Sequence, residues 1–198
     1  MNTKFKTLEV SEWNAKAKAL KALGRYKEAL KCYDKAIKAD PIYAAAWYNK
    51  GNTLLHLRRH QKAIACYDQA IDINSKDADA WFNRGYTLDK LGKYQKALRS
   101  YDKAIEIRPK DTDFWNNKGS ALYHLKKYQK ALASFNQAIK IEPLDAGALN
   151  NKGYALDKLG KHKEALEFCN RAIKINPKLS EAVKLKRDIL TKLRKQKK

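Results

Sequence analysis

At 198 residues, 44% of them apolar, the chain is long enough to bury a continuous core, and only four Pro and eight Gly leave little room for long loops. No window approaches 18 consecutive apolar residues, which excludes a membrane-spanning helix, and the start, MNTKFKTLEV, has no apolar run of signal-peptide length. The 43 basic and 21 acidic residues give a net charge of +22, while three cysteines form no disulfide framework, so a reducing, cytoplasmic setting is expected.

Residues 1–9 read as a short lead-in. Helical hairpins are then expected at 10–43, 44–77, 78–111, 112–145 and 146–179, with one last helix at 180–198 acting as a cap that carries a basic tail. The third hairpin shows the pattern most fully. Trp81, Gly85, Leu88 and Leu91 fall on one face of a helix, at i, i+4, i+7 and i+10. Gly92-Lys93 breaks it. Ala97, Leu98, Tyr101, Ala104 and Ile105 form the apolar stripe of a second helix, and Pro109 ends it. Each helix has one apolar side, so a lone hairpin leaves that surface in water.

The neighbours come from repetition. Trp13, Trp47, Trp81 and Trp115 recur every 34 residues, with Leu149 and Val183 in the next two places. Gly51, Gly85, Gly119 and Gly153 recur at the same step, with Ala17 in the first copy. So do Ala29, Ala63, Ala97, Ala131 and Ala165, and the closing residues Pro41, Ser75, Pro109, Pro143 and Pro177. A fixed period of this length marks a stacked array in which each hairpin packs on the next.

This pattern of Trp, Gly, Tyr, Ala, aromatic, Ala and Pro resembles the tetratricopeptide repeat family, over residues 10 to about 198. The resemblance implies an all-α fold, a right-handed α-α superhelix of antiparallel hairpins. Several residues depart from it. Lys16, Lys50, Arg84, Lys118 and Lys152 stand where the family usually has Leu before the Gly. Ser75 replaces Pro, His60 and His162 replace Tyr, and Cys169 replaces the aromatic residue.

Local chemistry supports the same boundaries. Gly24, Gly92 and Gly160 follow the first helices of their hairpins, as C′ residues do, whereas Arg58 and Lys126 hold that place in hairpins two and four and should make poorer turns. Asp77, Asp111 and Asp145 precede first helices and can cap them. The tryptophans are expected to be core, with Trp81→Ala costing about 3–5 kcal/mol. Cys32, Cys66 and Cys169 read as small packing residues, and the basic column before the glycines as lysine stems that bury while their ammonium groups reach water.

On a helical wheel the residues opposite the Trp of each first helix form an arc. In tetratricopeptide proteins that arc lines a concave groove where extended peptides bind. The candidate groove residues are Tyr48, Asn49, Asn52, Phe82, Asn83, Tyr86, Asn117, Tyr123, Asn151 and Tyr154. Asn amides both donate and accept, so a ladder of Asn49, Asn83, Asn117 and Asn151 can hold a peptide backbone irrespective of its sequence, and the aromatic residues add flat apolar area. The ladder has a second reading, as a simple consequence of repetition. The family's carboxylate clamp does not carry over, because the places after the Trp hold Asn14, Tyr48, Phe82, Asn116 and Asn150, with no Lys.

The basic excess is expected on the outer face of the second helices, at Lys31, Lys35, Lys62, Lys96, Arg99, Lys103, Lys130, Lys140 and Lys174, and is densest in the last helix. Lys outnumbers Arg 34 to 9, which favours a solvated face over bidentate phosphate recognition. His56 and His60 are spaced i, i+4 without a third ligand, and no nucleophile elbow or phosphate loop is present, so neither a metal, a cofactor nor catalysis is expected. The functional reading is a non-enzymatic scaffold that binds an extended peptide or a helix. The alternatives are a nucleic-acid or ribonucleoprotein binder using the basic outer face, and self-association through exposed end repeats.

Overall fold

The computed structural model describes residues 2–195, with side chains from residue 9 onward. Met1 and the last three residues of the expected frayed tail, 196–198, lie outside the described residues. The described residues form helices α1 (Asn2–Ala22), α2 (Tyr26–Ala39), α3 (Ala44–His56), α4 (His60–Ile73), α5 (Ala78–Lys90), α6 (Tyr94–Ile107), α7 (Thr112–His124), α8 (Tyr128–Ile141), α9 (Ala146–Lys158), α10 (His162–Ile175) and α11 (Ser180–Lys195), and no strand. The stretch expected as a lead-in is helical and continuous with α1. The chain divides into two compact units, Met1–Ile107 and Arg108–Lys198. The first holds the hairpins α1–α2, α3–α4 and α5–α6. The second holds α7–α8 and α9–α10, and α11 packs on both helices of its last hairpin.

Inside each hairpin the recurring glycine exists to admit a ring. A Cβ on Gly51 would meet the Tyr67 ring at 2.7 Å, one on Gly85 the Tyr101 ring at 2.8 Å, and one on Gly119 the Phe135 ring at 2.5 Å. These rings are among the most deeply buried large side chains, with Tyr67 and Tyr101 fully buried and Phe135 at 1% exposure. At Gly153 the facing group is the smaller Cys169, and the same Cβ would stand 3.2 Å from Sγ.

The tryptophans depart from expectation. Trp13, Trp47, Trp81 and Trp115 are only partly buried, so they are margin residues rather than the centre of the core. Three of them tie a turn. Trp47 Nε1 donates to the Pro41 carbonyl (2.9 Å), Trp81 Nε1 to the Ser75 carbonyl (3.0 Å) and Trp115 Nε1 to the Pro109 carbonyl (2.8 Å). The acceptor is main chain, so Ser75 serves as well as Pro. Across the rings lie the cations that replace the family's Leu: Lys16, Lys50, Arg84 and Lys118 stand 5.2–5.9 Å from the Trp ring centres. In the first unit Lys50 also reaches Asp34 on α2 (2.6 Å), and Arg84 reaches Asp68 on α4 (2.5 Å) and Ser100 on α6 (2.8 Å). Lys50 and Arg84 of the basic column thus act as interhelical struts.

Arg58 (φ 56°) and Lys126 (φ 60°) do sit in the left-handed region beside the glycines at 24, 92 and 160. A side chain there meets its own carbonyl. Lys126→Gly should therefore raise stability by about 1 kcal/mol, read as a higher midpoint in urea with an unchanged slope. The caps are also as expected: Asp77 accepts from Ala80 N, Asp111 from Asp113 N, and Asp145 from Gly147 N and Ala148 N.

All three cysteines are free and buried. Burial pushes the Cys169 thiol from its ordinary 9.0 up to about 11. The folded state thus holds its proton more tightly than the unfolded state, and this contribution to stability is complete below pH 9 and is lost as pH rises through about 11. At pH 8 the native protein should react with a thiol reagent at Cys169 no faster than it opens. Rapid native-state labelling there would contradict this packing.

The second unit ends on a buried carboxylate. Asp157 is 8% exposed and lies between His162 Nδ1 (2.9 Å) and Lys192 Nζ (2.5 Å). It fastens α11 to the last hairpin, together with buried Ala182, Leu185 and Ile189. Val183, in the sixth Trp place, is instead 48% exposed. Asp157→Ala should cost about 1–3 kcal/mol by leaving its partners without an acceptor. Amide exchange in α11 should speed up before that in α7.

Candidate peptide-binding surface

The candidate residues fall on the first helices of the hairpins, and each unit presents its own set. In the first unit the asparagines are partly used in joining repeats. Asn49 Nδ2 donates to Asn14 Oδ1 on α1 (3.2 Å). Asn83 Nδ2 on α5 donates to Tyr48 Oη (2.9 Å) and Asn52 Oδ1 (3.3 Å) on α3, and Tyr67 Oη donates to the same Asn52 oxygen (2.7 Å). The Asn49–Asn14 and Asn83–Tyr48 hydrogen bonds recur because residues 35 apart face each other across adjacent first helices. Burial pushes the Tyr48 phenol above its ordinary value, so it remains a neutral hydrogen-bonding group at neutral pH. Phe82 and Tyr86 form a tilted pair with centres 6.4 Å apart, and Phe82 stands 5.9 Å from Tyr101.

In the second unit Asn151 Nδ2 donates to Asn116 Oδ1 (3.0 Å), while Asn117 Nδ2 turns back to the Asp113 carbonyl of its own helix (2.8 Å). Asn117 therefore does not join the Asn116–Asn151 link. The aromatic residues do converge here. Tyr123 packs edge-on against Tyr128 (5.4 Å) and Tyr154 (6.5 Å), and Tyr154 Oη donates to the Glu181 carbonyl at the start of α11 (3.3 Å). A cavity of about 210 Å³ opens between α7 and α9, lined by Ser120, Tyr123, His124, Phe135, Asn151 and Tyr154. Three candidate residues, Tyr123, Asn151 and Tyr154, meet in it.

His124 and the edge of Phe135 were not among the candidates. His124 stands nine residues after Trp115, directly opposite it on the wheel, so spacing alone could have found it, whereas Phe135 reaches the cavity only because Gly119 lets its ring pass. Asp113 stands at the start of α7. Burial, then Asp111 and Asp145, hold its carboxyl above the usual range, so this end of the surface favours a positive charge on a ligand.

The nine basic residues expected on the outer face of the second helices are all exposed. Among the described residues no group of three or more His, Cys, Asp or Glu is arranged to hold a metal, and no helix is long and apolar enough to cross a membrane.

Profiles described as the tetratricopeptide repeat match residues 14–78 and then 78–111, 112–144 and 146–179. The chain belongs to the tetratricopeptide repeat family. A search of curated proteins gave no match. Among solved tetratricopeptide structures, YrrB, "a TPR protein with an unusual peptide-binding site", superposes with a TM-score of 0.79 at 26% identity, over 88% of this chain and 90% of YrrB. MamA from Desulfovibrio magneticus RS-1 gives 0.81 at 18% identity, over 86% and 97%. A tetratricopeptide repeat protein from Parabacteroides merdae ATCC 43184 gives 0.83 at 19%, over 92% and 72%. The last two likenesses speak to the fold alone.

Proposed function

We propose that this tetratricopeptide protein is a non-enzymatic interaction scaffold that binds an extended peptide along its first helices, with a pocket for its side chains between α7 and α9. The observation that carries the reading is the cavity of about 210 Å³ where Tyr123, Tyr154 and Asn151 converge. Its rings offer flat apolar contact, and its hydroxyl and amide groups offer hydrogen bonds to a peptide main chain. The peptide-binding site of YrrB, at 26% identity, supports the same class of ligand. Three buried free thiols fit a reducing, cytoplasmic compartment.

The test is to select peptides on the immobilised protein and measure their affinity for Tyr123→Ala/Tyr154→Ala. A loss of at least tenfold, about 1.4 kcal/mol, with an unchanged circular dichroism spectrum is expected. Undiminished binding would move the site elsewhere. In the first unit Tyr86→Ala is the cleaner probe, because Asn83→Ala also removes hydrogen bonds that tie α5 to α3.

The exposed basic residues of the second helices favour one second reading, contact with a polyanion. Retention on heparin that collapses in moderate salt is its signature.

A further inference from the structure

Three irregularities of the sequence meet at one place. Hairpin two has Arg58 where hairpins one, three and five have glycine, and His60 where hairpins one, three and four have tyrosine. It also carries His56 one turn earlier. In the structure His56, Arg58 and His60 line one cavity of about 530 Å³ with Leu55, Tyr86 and Lys90. All six residues belong to the first unit. Among the described residues, no acidic side chain lines the cavity and neither Arg58 nor Lys90 forms an ion pair. Lys90 Nζ instead lies 4.8 Å from the Tyr86 ring centre.

The remaining groups are donors or lack a partner. Tyr26 Oη lies 2.6 Å from His56 Nε2. When the phenol donates to that nitrogen, the neutral ring carries its proton on Nδ1, where it can donate in turn. His60 Nδ1 is buried with no hydrogen-bond partner, a condition that is uncommon without a ligand or water to meet it. His60 is also the first residue of α4, whose cap Arg59 makes no side-chain hydrogen bond, so the positive end of that helix lies at the same place. Arg58 holds its position in a backbone conformation that glycine adopts without strain (φ 56°).

From this convergence we infer that the cavity at the α3–α4 turn is a binding site for a phosphoryl dianion, with Arg58 and Lys90 neutralising its charge and His56 and His60 donating to its oxygens. Two fixed cations match the double charge of a phosphate monoester or of free phosphate better than the single charge of a carboxylate. The site lies at the turn end of the first unit and does not depend on the pocket between α7 and α9.

The experiment compares the full-length protein with Arg58→Gly/His60→Tyr, which restores the residues of the other hairpins and relieves the turn, so it should fold at least as well. Inorganic phosphate is titrated against chloride at equal ionic strength, with imidazole resonances and the thermal midpoint as readouts. Phosphate should shift the His56 and His60 signals and raise the midpoint by several degrees, and both effects should fall at least tenfold in apparent affinity in the double variant. Lys126→Gly, the same turn repair in hairpin four, should keep the full response. Non-specific attraction would behave differently, because the double variant removes only one of 43 basic residues. An equal phosphate response in wild type and double variant, or a response that chloride reproduces, would overturn the assignment. A short phosphoserine peptide distinguishes the sources: displacement of phosphate at a tenfold lower concentration assigns the group to a protein ligand, and displacement only at equal or higher concentration, or none, assigns free phosphate.

Discussion

Replacing Tyr101 with Ala should remove about 3–5 kcal/mol of stability. Tyr101 has no exposed surface, and its ring runs between the backbone of α5 at Gly85 and the Phe82 ring. Truncation leaves a cavity that the helices can close only by sliding, and closure is opposed by the strut from Arg84 to Asp68 and Ser100. Trp81→Ala, which sequence reading places in the same range, should cost less, about 2–3 kcal/mol, because part of the indole is already in water. Urea denaturation of both variants ranks them. A larger loss for Trp81→Ala would show that the indole, not the tyrosine, is the keystone of the hairpin.

Gly119→Ala is the second. The added methyl would sit 2.5 Å from the Phe135 ring, the tightest approach of the four hairpin glycines, so about 1–3 kcal/mol of destabilisation is expected from overpacking. Gly153→Ala should be milder, since its Cβ would meet Cys169 Sγ at 3.2 Å. The cause can be isolated by a cycle. Phe135→Cys copies the fifth hairpin, and in that background the penalty of Gly119→Ala should fall by more than half. An unchanged penalty would mean that helix α7 rejects the methyl for a reason other than the ring.

The array was legible because its signals are local and recur. Alternation of apolar stripes, a 34-residue step, Asp caps and left-handed turns at Arg58 and Lys126 all follow from spacing and residue type. The glycines at the ring contacts were legible too, since Gly and the aromatic residue lie 16 apart in hairpins two, three and four. Features that depend on how far a side chain reaches were harder to read. A wheel places Trp81 on the apolar side, but it does not show that Nε1 reaches back six residues to the Ser75 carbonyl. The cation column looked like snorkelling lysines. Its acid partners were present as a matching series, Asp34 and Asp68, sixteen residues before Lys50 and Arg84. The asparagine ladder was found as a pattern, but whether an amide faces a ligand or the next helix is settled only by the 35-residue adjacency that unites Asn49 with Asn14 and Asn151 with Asn116. Asp157 appears polar and outward on a wheel and is buried because α11 brings Lys192 over it.

The peptide surface itself is tested most directly by amide and side-chain chemical-shift mapping with a selected peptide bound. Perturbations should cluster on Tyr123, Asn151 and Tyr154 and spread along the first helices, leaving the lysines of the second helices unmoved. Shifts confined to Lys130, Lys140 and Lys174, with the tyrosines silent, would contradict peptide capture on the first helices and assign binding to the basic face.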